Sequence, residues 1–238
     1  MPDFAEIWAY LAQRPLVWLT ATLLAYAAGD ALSRATRRHP LANPVLTAVL
    51  LLALALAVTR TPYEIYFEGA QFVHFLLGPA TVALAVPLYA TLTAMRRLLL
   101  PMALALLAGS VTAAVSALAI AAAFGLDRET LLSLAPKSAT APVAMGVAER
   151  IGGSPTLAAV LVLMTGIIGA VIVTPLLNAL RLRDWRARGF AAGVAAHGLG
   201  TARAFQVNPT AGSFAGVGMG LNALLTALLA PFIVRLFL

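Results

Sequence analysis

The sequence predicts an all-α polytopic membrane protein of roughly six to eight transmembrane segments, some discontinuous or re-entrant, at about 20 residues per crossing. Three observations predict it. Of 238 residues, 61% are hydrophobic and 11% charged, against roughly 45–50% and about 25% in soluble domains. The mean hydropathy is +0.93. Several apolar runs are also cut mid-course by proline, glycine and hydroxyl residues, and broken backbone at membrane depth is tolerated only where protein or a water-filled cavity covers it.

Taken in order, the first segment runs from Pro15 to Ala28, with an extension back to Ile7, and is flanked by Trp8, Tyr10 and Trp18 as interfacial aromatics. Residues 30–40 follow as a basic loop with Arg34, Arg37 and Arg38, expected in the cytoplasm. Asn43-Pro44 opens the second segment, which ends near Val58, and Arg60, Glu64 and Glu68 mark an outer loop. The third, 70–94, is interrupted at Gly78-Pro79 and Pro87 and closed by Arg96-Arg97. The fourth, 101–124, is rich in small residues that suit close helix packing. Beyond the turn at Asp127 lies the broken stretch 131–150, then a full span over 157–180 and the basic loop RLRDWRARG. A glycine-rich, polar-interrupted stretch over 189–205 and a last span over 211–237 complete the chain. Residues 1–40 are read as an N-terminal segment and 41–238 as one transmembrane domain.

A complete crossing by 131–150 would put Arg181, Arg183, Arg186 and Arg188 outside, against the positive-inside rule. A re-entrant 131–150, entering and leaving on the outer face, restores them to the cytoplasm. The net charge of +7 therefore reads as topology and contact with anionic membrane lipid rather than nucleic-acid binding. The chain has no cysteine, which excludes disulfides, thiolate catalysis and thiolate metal ligands. The N-terminus has no basic region of the kind that precedes a cleavable signal peptide.

The broken stretch LAPKSATAPVAM carries the chemistry. Pro136 and Pro142 lack amide donors and disfavour helix in the residues before them. Lys137 lies between, with Ser138 and Thr140 behind it. A cation in an apolar segment costs about 2.5–3.5 kcal/mol at mid-bilayer and marks function by default. A substrate carboxylate would compensate it, with the hydroxyls and the amides of a helix N-terminus bonding its oxygens. Interfacial snorkelling or pairing with Glu149 is the structural alternative. In AAHGLGTARAF, Arg203 offers a second carboxylate fork, and His197 titrates in the range of a coupling proton. Gly198 and Gly200 permit a helix break, and Thr201 adds a hydroxyl. LLGPATVALAVPL echoes LAPKSATAPVAMGV, aligning Thr81, behind the Gly78-Pro79 break, with Thr140. An internal repeat is therefore expected, and paired interrupted segments point to a transporter's binding site. Asn222, in the last span, reads as readily as interhelical glue. The scattered histidines lack metal-ligand spacing, no phosphate-binding loop is present, and no nucleophile–base pair supports an enzyme.

From Asn43 onward, NPVLTAVLLLALAL, FLLGPATVALAVPLY, SLAPKSATAPVAM, GVAAHGLGTARAFQ and GSFAGVGMGLNALLTALLAP resemble the LrgB/CidB family of bacterial membrane proteins. The resemblance implies a multi-pass protein of the bacterial cytoplasmic (inner) membrane, without catalytic residues, cofactor or metal, and two functional descriptions. Plastid relatives exchange glycolate and glycerate and some bacterial systems move pyruvate, which implies a carrier for small 2-hydroxy or 2-oxo monocarboxylates (glycolate, glycerate, pyruvate or lactate). Other members are described as antiholin-like regulators of murein hydrolase export and lysis, which implies a small LrgA/CidA-type partner. A second copy of the chain is a further candidate partner. The carrier reading assigns the carboxylate to Lys137 and Arg203, its oxygens to Thr81, Ser138, Thr140 and Thr201, and the proton to His197.

Overall fold

The computed structural model describes residues 14–76, 79, 89 and 97–237, and all of the structural statements below concern these. Gly78 and Thr81, with most of the first half of the sequence echo, lie outside the described residues; Pro79 is helical and exposed. Contacts divide the chain into two compact units, Met1–Leu84 and Ala85–Leu238.

In the first unit, α1 (Pro15–Ala35) packs on α2 (Pro44–Thr59) and α3 (Tyr63–Phe75). Asn43 starts α2, its side-chain oxygen accepting the N–H groups of Val45 and Leu46, and Pro44 follows where no amide is needed. Trp18, 1% exposed, meets Tyr66 edge-on at 5.9 Å. Glu64 and Glu68, expected in a loop, lie within α3 instead: the aromatic residues interleaved with them give that stretch an apolar helical face.

The second unit contains α4 (Leu99–Ala123), α5 (Arg128–Leu134), α6 (Ala141–Ile151), α7 (Pro155–Ala179), α8 (Trp185–Val207) and α9 (Pro209–Ile233), the last ending in a 3-10 turn at Val234–Leu236. Four of the described helices are long and apolar enough to cross a membrane: α1, α4, α7 and α9 with its terminal turn. Side chains cap the starts of α5, α7, α8 and α9: Asp127, Ser154, Asp184 and Asn208 each accept first-turn amides. At Asp184, hydrogen bonds from the Arg186 side chain and backbone hold the carboxyl below the usual carboxylate range.

Between the long helices lie two hairpins. The first, α5–α6, is the re-entrant form of residues 131–150. The Ser154 N–H donates to Ser133 Oγ at 2.8 Å, and Gly153 sits so close to Ser133 that an added Cβ would lie 2.8 Å from its nitrogen. The chain thus returns beside the point where it left. Gly152, at φ +89, ends α6 in a left-handed conformation that glycine adopts without a Cβ penalty. The mouth of this hairpin packs with the end of α4 and the end of α9 through Leu118, Ala121, Leu131, Leu132, Ala230 and Ile233.

The second hairpin is α8 itself. Its backbone leaves the helical region at Ala196 (φ −127, ψ 18) and His197 (φ 41, ψ −130), and the chain doubles back. Ala192 and Ala204, about 18 Å apart in a straight helix, belong to one cluster with Ala211 and Ala215, and a Cβ on Gly200 would overlap the Ala192 carbonyl oxygen. The first arm, 185–195, runs alongside α9: Gly189 meets Ala211 and Gly193 meets Ala215. The second arm, 198–207, returns antiparallel to α9, with Phe205 at Gly212 and Gly198 at Met219. The expected break at Gly198 and Gly200 falls on the two residues before them, since both glycines are helical.

α4 with the first hairpin and α7 with the second therefore repeat one order, long helix then hairpin, in opposite senses. The first hairpin opens on the face where α4 ends and α7 begins, the second on the face of the basic loop 181–184. This is an inverted arrangement of the kind that places transporter sites at mid-depth.

Two measurements test this fold. In the cysteine-free chain, single cysteines replacing exposed Leu126 and Arg150 should react with an impermeant thiol reagent from one side of the membrane, and one replacing Arg183 from the other. Labelling of Leu126→Cys and Arg150→Cys from opposite sides would show that α5–α6 crosses. A Cβ on Gly193 would overlap the Ala215 carbonyl oxygen, while one on Gly146 meets nothing within 4 Å. Gly193→Ala should therefore cost about 1–3 kcal/mol of stability, seen as a fall of several degrees in thermal midpoint in detergent, and Gly146→Ala should leave it unchanged or slightly raised.

Candidate functional site

The tips of the two hairpins meet at Asn222. This residue is 0% exposed and lies near the middle of α9. Its Nδ2 donates to the Ser138 carbonyl oxygen at 2.8 Å and to the Val194 carbonyl oxygen at 3.1 Å. Its Oδ1 accepts from the hydroxyl of Ser110 on α4. Both carbonyls belong to broken helix. A helical Ser138 oxygen would accept from residue 142, which is a proline without N–H. The Val194 oxygen would accept from Gly198, which the reversal at His197 carries away. Buried carbonyls without partners are costly, and one carboxamide satisfies both.

Lys137 lies at the first tip, half-buried. Its Nζ donates to Ser138 Oγ at 3.3 Å. Among the described residues it has no counter-ion: the ion pairs there are Arg34–Asp30 and Arg186–Asp184, so pairing with Glu149 is not formed. Thr140 is the N-cap of α6 but makes no side-chain cap bond, which leaves its hydroxyl and the first-turn amides of α6 uncommitted to one another. A cation, two hydroxyls and the positive end of a helix thus converge on the break between Pro136 and Pro142.

His197 forms the second tip and is 6% exposed. Its φ of 41 is one that side-chain-bearing residues rarely adopt, and such strain persists where the surroundings over-determine it. The ring is clamped: Nε2 bonds the Val162 carbonyl oxygen of α7 at 2.9 Å, and a Cβ on Gly166 would lie 2.5 Å from Cε1. A carbonyl only accepts, so Nε2 carries a proton and Nδ1 is the nitrogen free to titrate. Among the described residues no group bonds Nδ1.

Thr201 and Arg203 are placed differently. Thr201, 2% exposed, donates its hydroxyl to the His197 carbonyl oxygen at 2.8 Å, which steadies the strained residue. Arg203, 8% exposed, reaches Thr174 Oγ1 and Gln206 Oε1, both at 3.4 Å. Thr174 lies twelve residues beyond Val162 on α7, about 18 Å of helix. The guanidinium thus stands towards the basic face, where Thr174 lines a narrow crevice between α7 and both arms of the second hairpin. Lys137, Ser138 and Thr140 lie at the first tip and His197 at the second, both tips tied to Asn222 through backbone carbonyls, and Arg203 stands apart towards the basic face.

The sequence reading underrated Asn222 and did not single out Ser110. A polar residue in an apolar span was the available signal for Asn222. The carbonyls of Ser138, Val162 and Val194 leave no trace in side-chain identity.

Comparison with known proteins gives a consistent picture. A family model described as the LrgB-like family matches residues 22–236. The chain is 37% identical to the uncharacterized protein YxaC of Bacillus subtilis, over 94% of this chain and 99% of that one. It is 31% identical to the holin-like protein CidB of Staphylococcus epidermidis, over 84% and 87% respectively, and 34% identical to an uncharacterized protein of Haemophilus influenzae, over 82% and 84%. No solved structure matches.

An uncompensated cation at depth destabilises the protein that carries it. Lys137→Met, similar in length and uncharged, should raise stability by about 1–3 kcal/mol, up to the mid-bilayer cost of a lysine, read as a higher thermal midpoint in detergent. A lower midpoint would show that the ammonium has a structural partner.

Proposed function

This chain belongs to the LrgB-like family of membrane proteins, and from that premise we propose that it is a multi-pass carrier of the bacterial cytoplasmic membrane for small 2-hydroxy and 2-oxo monocarboxylates. The observation that supports this reading is Lys137: a half-buried ammonium without a counter-ion among the described residues, beside the uncapped N-terminus of α6. An anion of one charge completes that site. The carboxylate sits between Nζ and the first amides of α6, where charge-assisted bonds are strongest. Ser138 and Thr140 bond the neighbouring hydroxyl or carbonyl oxygen. Nδ1 of His197, facing this site from the opposite tip, carries the coupling proton. Thr201 holds His197, and Arg203 attracts the carboxylate on the basic face. Thr81 joins the oxygen-binding set on the strength of the sequence echo alone. The reading needs no catalytic residue, cofactor or metal.

A second reading is favoured by the printed name of the staphylococcal relatives, holin-like protein CidB. Here the chain is an antiholin-like subunit that controls murein hydrolase export and lysis, assembled with an LrgA/CidA-type protein or with a second copy of itself. An added Cβ on Gly216 or Gly220 of α9 meets nothing within 4 Å, and Gly220 is exposed, where bulk alters contacts made by that helix with a partner.

The two readings separate cleanly. Proteoliposomes holding the protein should accumulate labelled glycolate, pyruvate or lactate, and Lys137→Met should lower uptake at least about tenfold, the equivalent of 1.4 kcal/mol. No uptake of any of these acids, or uptake indifferent to Lys137, would sink the carrier reading. The regulatory reading expects a lysis phenotype that survives Lys137→Met and disappears with Gly216→Leu or Gly220→Leu.

A further inference from the structure

We propose that Asn222 is a positioning residue of the anion site: its carboxamide couples the two hairpin tips and so sets where Lys137 stands relative to His197. The proposal rests on the carrier reading for its uptake test and on geometry for its substance. Asn222 is fully buried and lies between elements that enter from opposite faces. Each of its polar groups has one assignment. The Ser138 and Val194 oxygens can only accept, so both amide hydrogens of Nδ2 point at them. The Ser110 hydroxyl can donate, so it faces Oδ1 and fixes which way the amide lies. No rotation of the amide serves the three partners equally well. The Ser138 carbonyl is one residue from Lys137, and the Val194 carbonyl precedes the reversal at His197 by three residues. A shift of either tip must stretch a bond to the same nitrogen.

This differs from ordinary interhelical hydrogen bonding, which would join two regular helices through side chains and leave their backbones alone. Asn222 bonds backbone that exists only because Pro142 and the His197 reversal broke the helices. Without the carboxamide the two carbonyls lose their shared donor, and the tips are free to part.

The test uses Asn222→Asp, which keeps the shape and the acceptor for Ser110. Ionised, it presents a carboxylate to two carbonyl oxygens. Protonated, it regains one O–H donor. Of the titratable and charged groups on the elements packed against it, α4 and α9 carry none, Lys137 and His197 stand at the two tips, and the rest lie away from the tips: Glu149 and Arg150 in the last turn of α6, Arg186 and Arg188 in the first turn of α8, and Arg203 at Thr174. Wild-type protein at each pH therefore serves as the control for their titration. At about pH 7.5, with carboxyl groups ordinarily ionised, the variant should run as a monodisperse peak. Its KM for the transported acid should rise at least about tenfold, with the maximal rate changed by less than about threefold. Its KM relative to wild type should fall again once the pH is low enough to protonate the carboxyl. Ser110→Ala, which removes only the group that orients the amide, should raise KM by a smaller factor.

An unchanged KM, or a loss of uptake that follows the folded fraction with KM constant, would overturn the proposal. If wild-type protein moves none of the acids, the carrier reading fails and a substrate-free measurement decides this one. Ala139, 0% exposed beside Ser138, is replaced by cysteine in the cysteine-free chain. Labelling by maleimide should be at least about tenfold faster with Asn222→Asp than with Asn222 when the carboxyl is ionised, and the difference should shrink when it is protonated. Equal rates would overturn it.

Discussion

A helix interrupted inside a membrane strands backbone carbonyls where no water can reach them, and the second unit is arranged around that constraint. In hydrocarbon each such group costs several kcal/mol. Two interruptions, one made by Pro142 and one by the turn at His197, fall at the same depth, and the Asn222 amide hydrogens serve both. The long helices stand where they do because this meeting must be enclosed. α4 supplies Ser110, α7 supplies the Val162 oxygen that holds the histidine ring, and α9 carries the carboxamide.

The same breaks that create the structural problem create the chemistry. A continuous helix through Lys137 would have bonded its own amides and pointed the ammonium at lipid. Ended at Leu134 and restarted at Ala141, the chain instead presents a helix N-terminus next to a cation, both lacking negative charge. The second tip has a different character. His197 accepts an unfavourable backbone conformation where glycine would have been easier, so the imidazole is what that position preserves. The ring is gripped on one side and free at Nδ1 on the other.

How far the sequence could be read depends on which atoms did the work. Composition and apolar run lengths made the membrane class plain, and two prolines flanking a lysine made the first hairpin visible. Charge counting also led to the expectation that this stretch turns back rather than crosses, and the chain does return beside its starting point at Ser133 and Ser154. The second hairpin was harder. It has no proline, its glycines sit just after the turn rather than in it, and its reversal is carried by a histidine with positive φ. Its arms are recognisable only through the Gly189 and Gly193 contacts with α9, which depend on tertiary register. Arg203 illustrates the converse: paired with Lys137 on chemical type, it lies well away from it along α7.

The seam between the first arm of α8 and α9 also bears on how the protein is made. The α8 sequence, with His197, Arg203 and several glycines, is too polar to be released into lipid as a spanning segment. It never has to be, because the hairpin reverses at Ala196 and His197 and both its ends lie on one face. Its first arm gains its tightest contacts when α9 is in place, since Gly189 and Gly193 close directly on that helix and Gly218 of α9 closes on Phe190. Assembly of the transmembrane unit is therefore completed from its C-terminal end. A chain that ends before α9 lacks the helix against which Gly189 and Gly193 close.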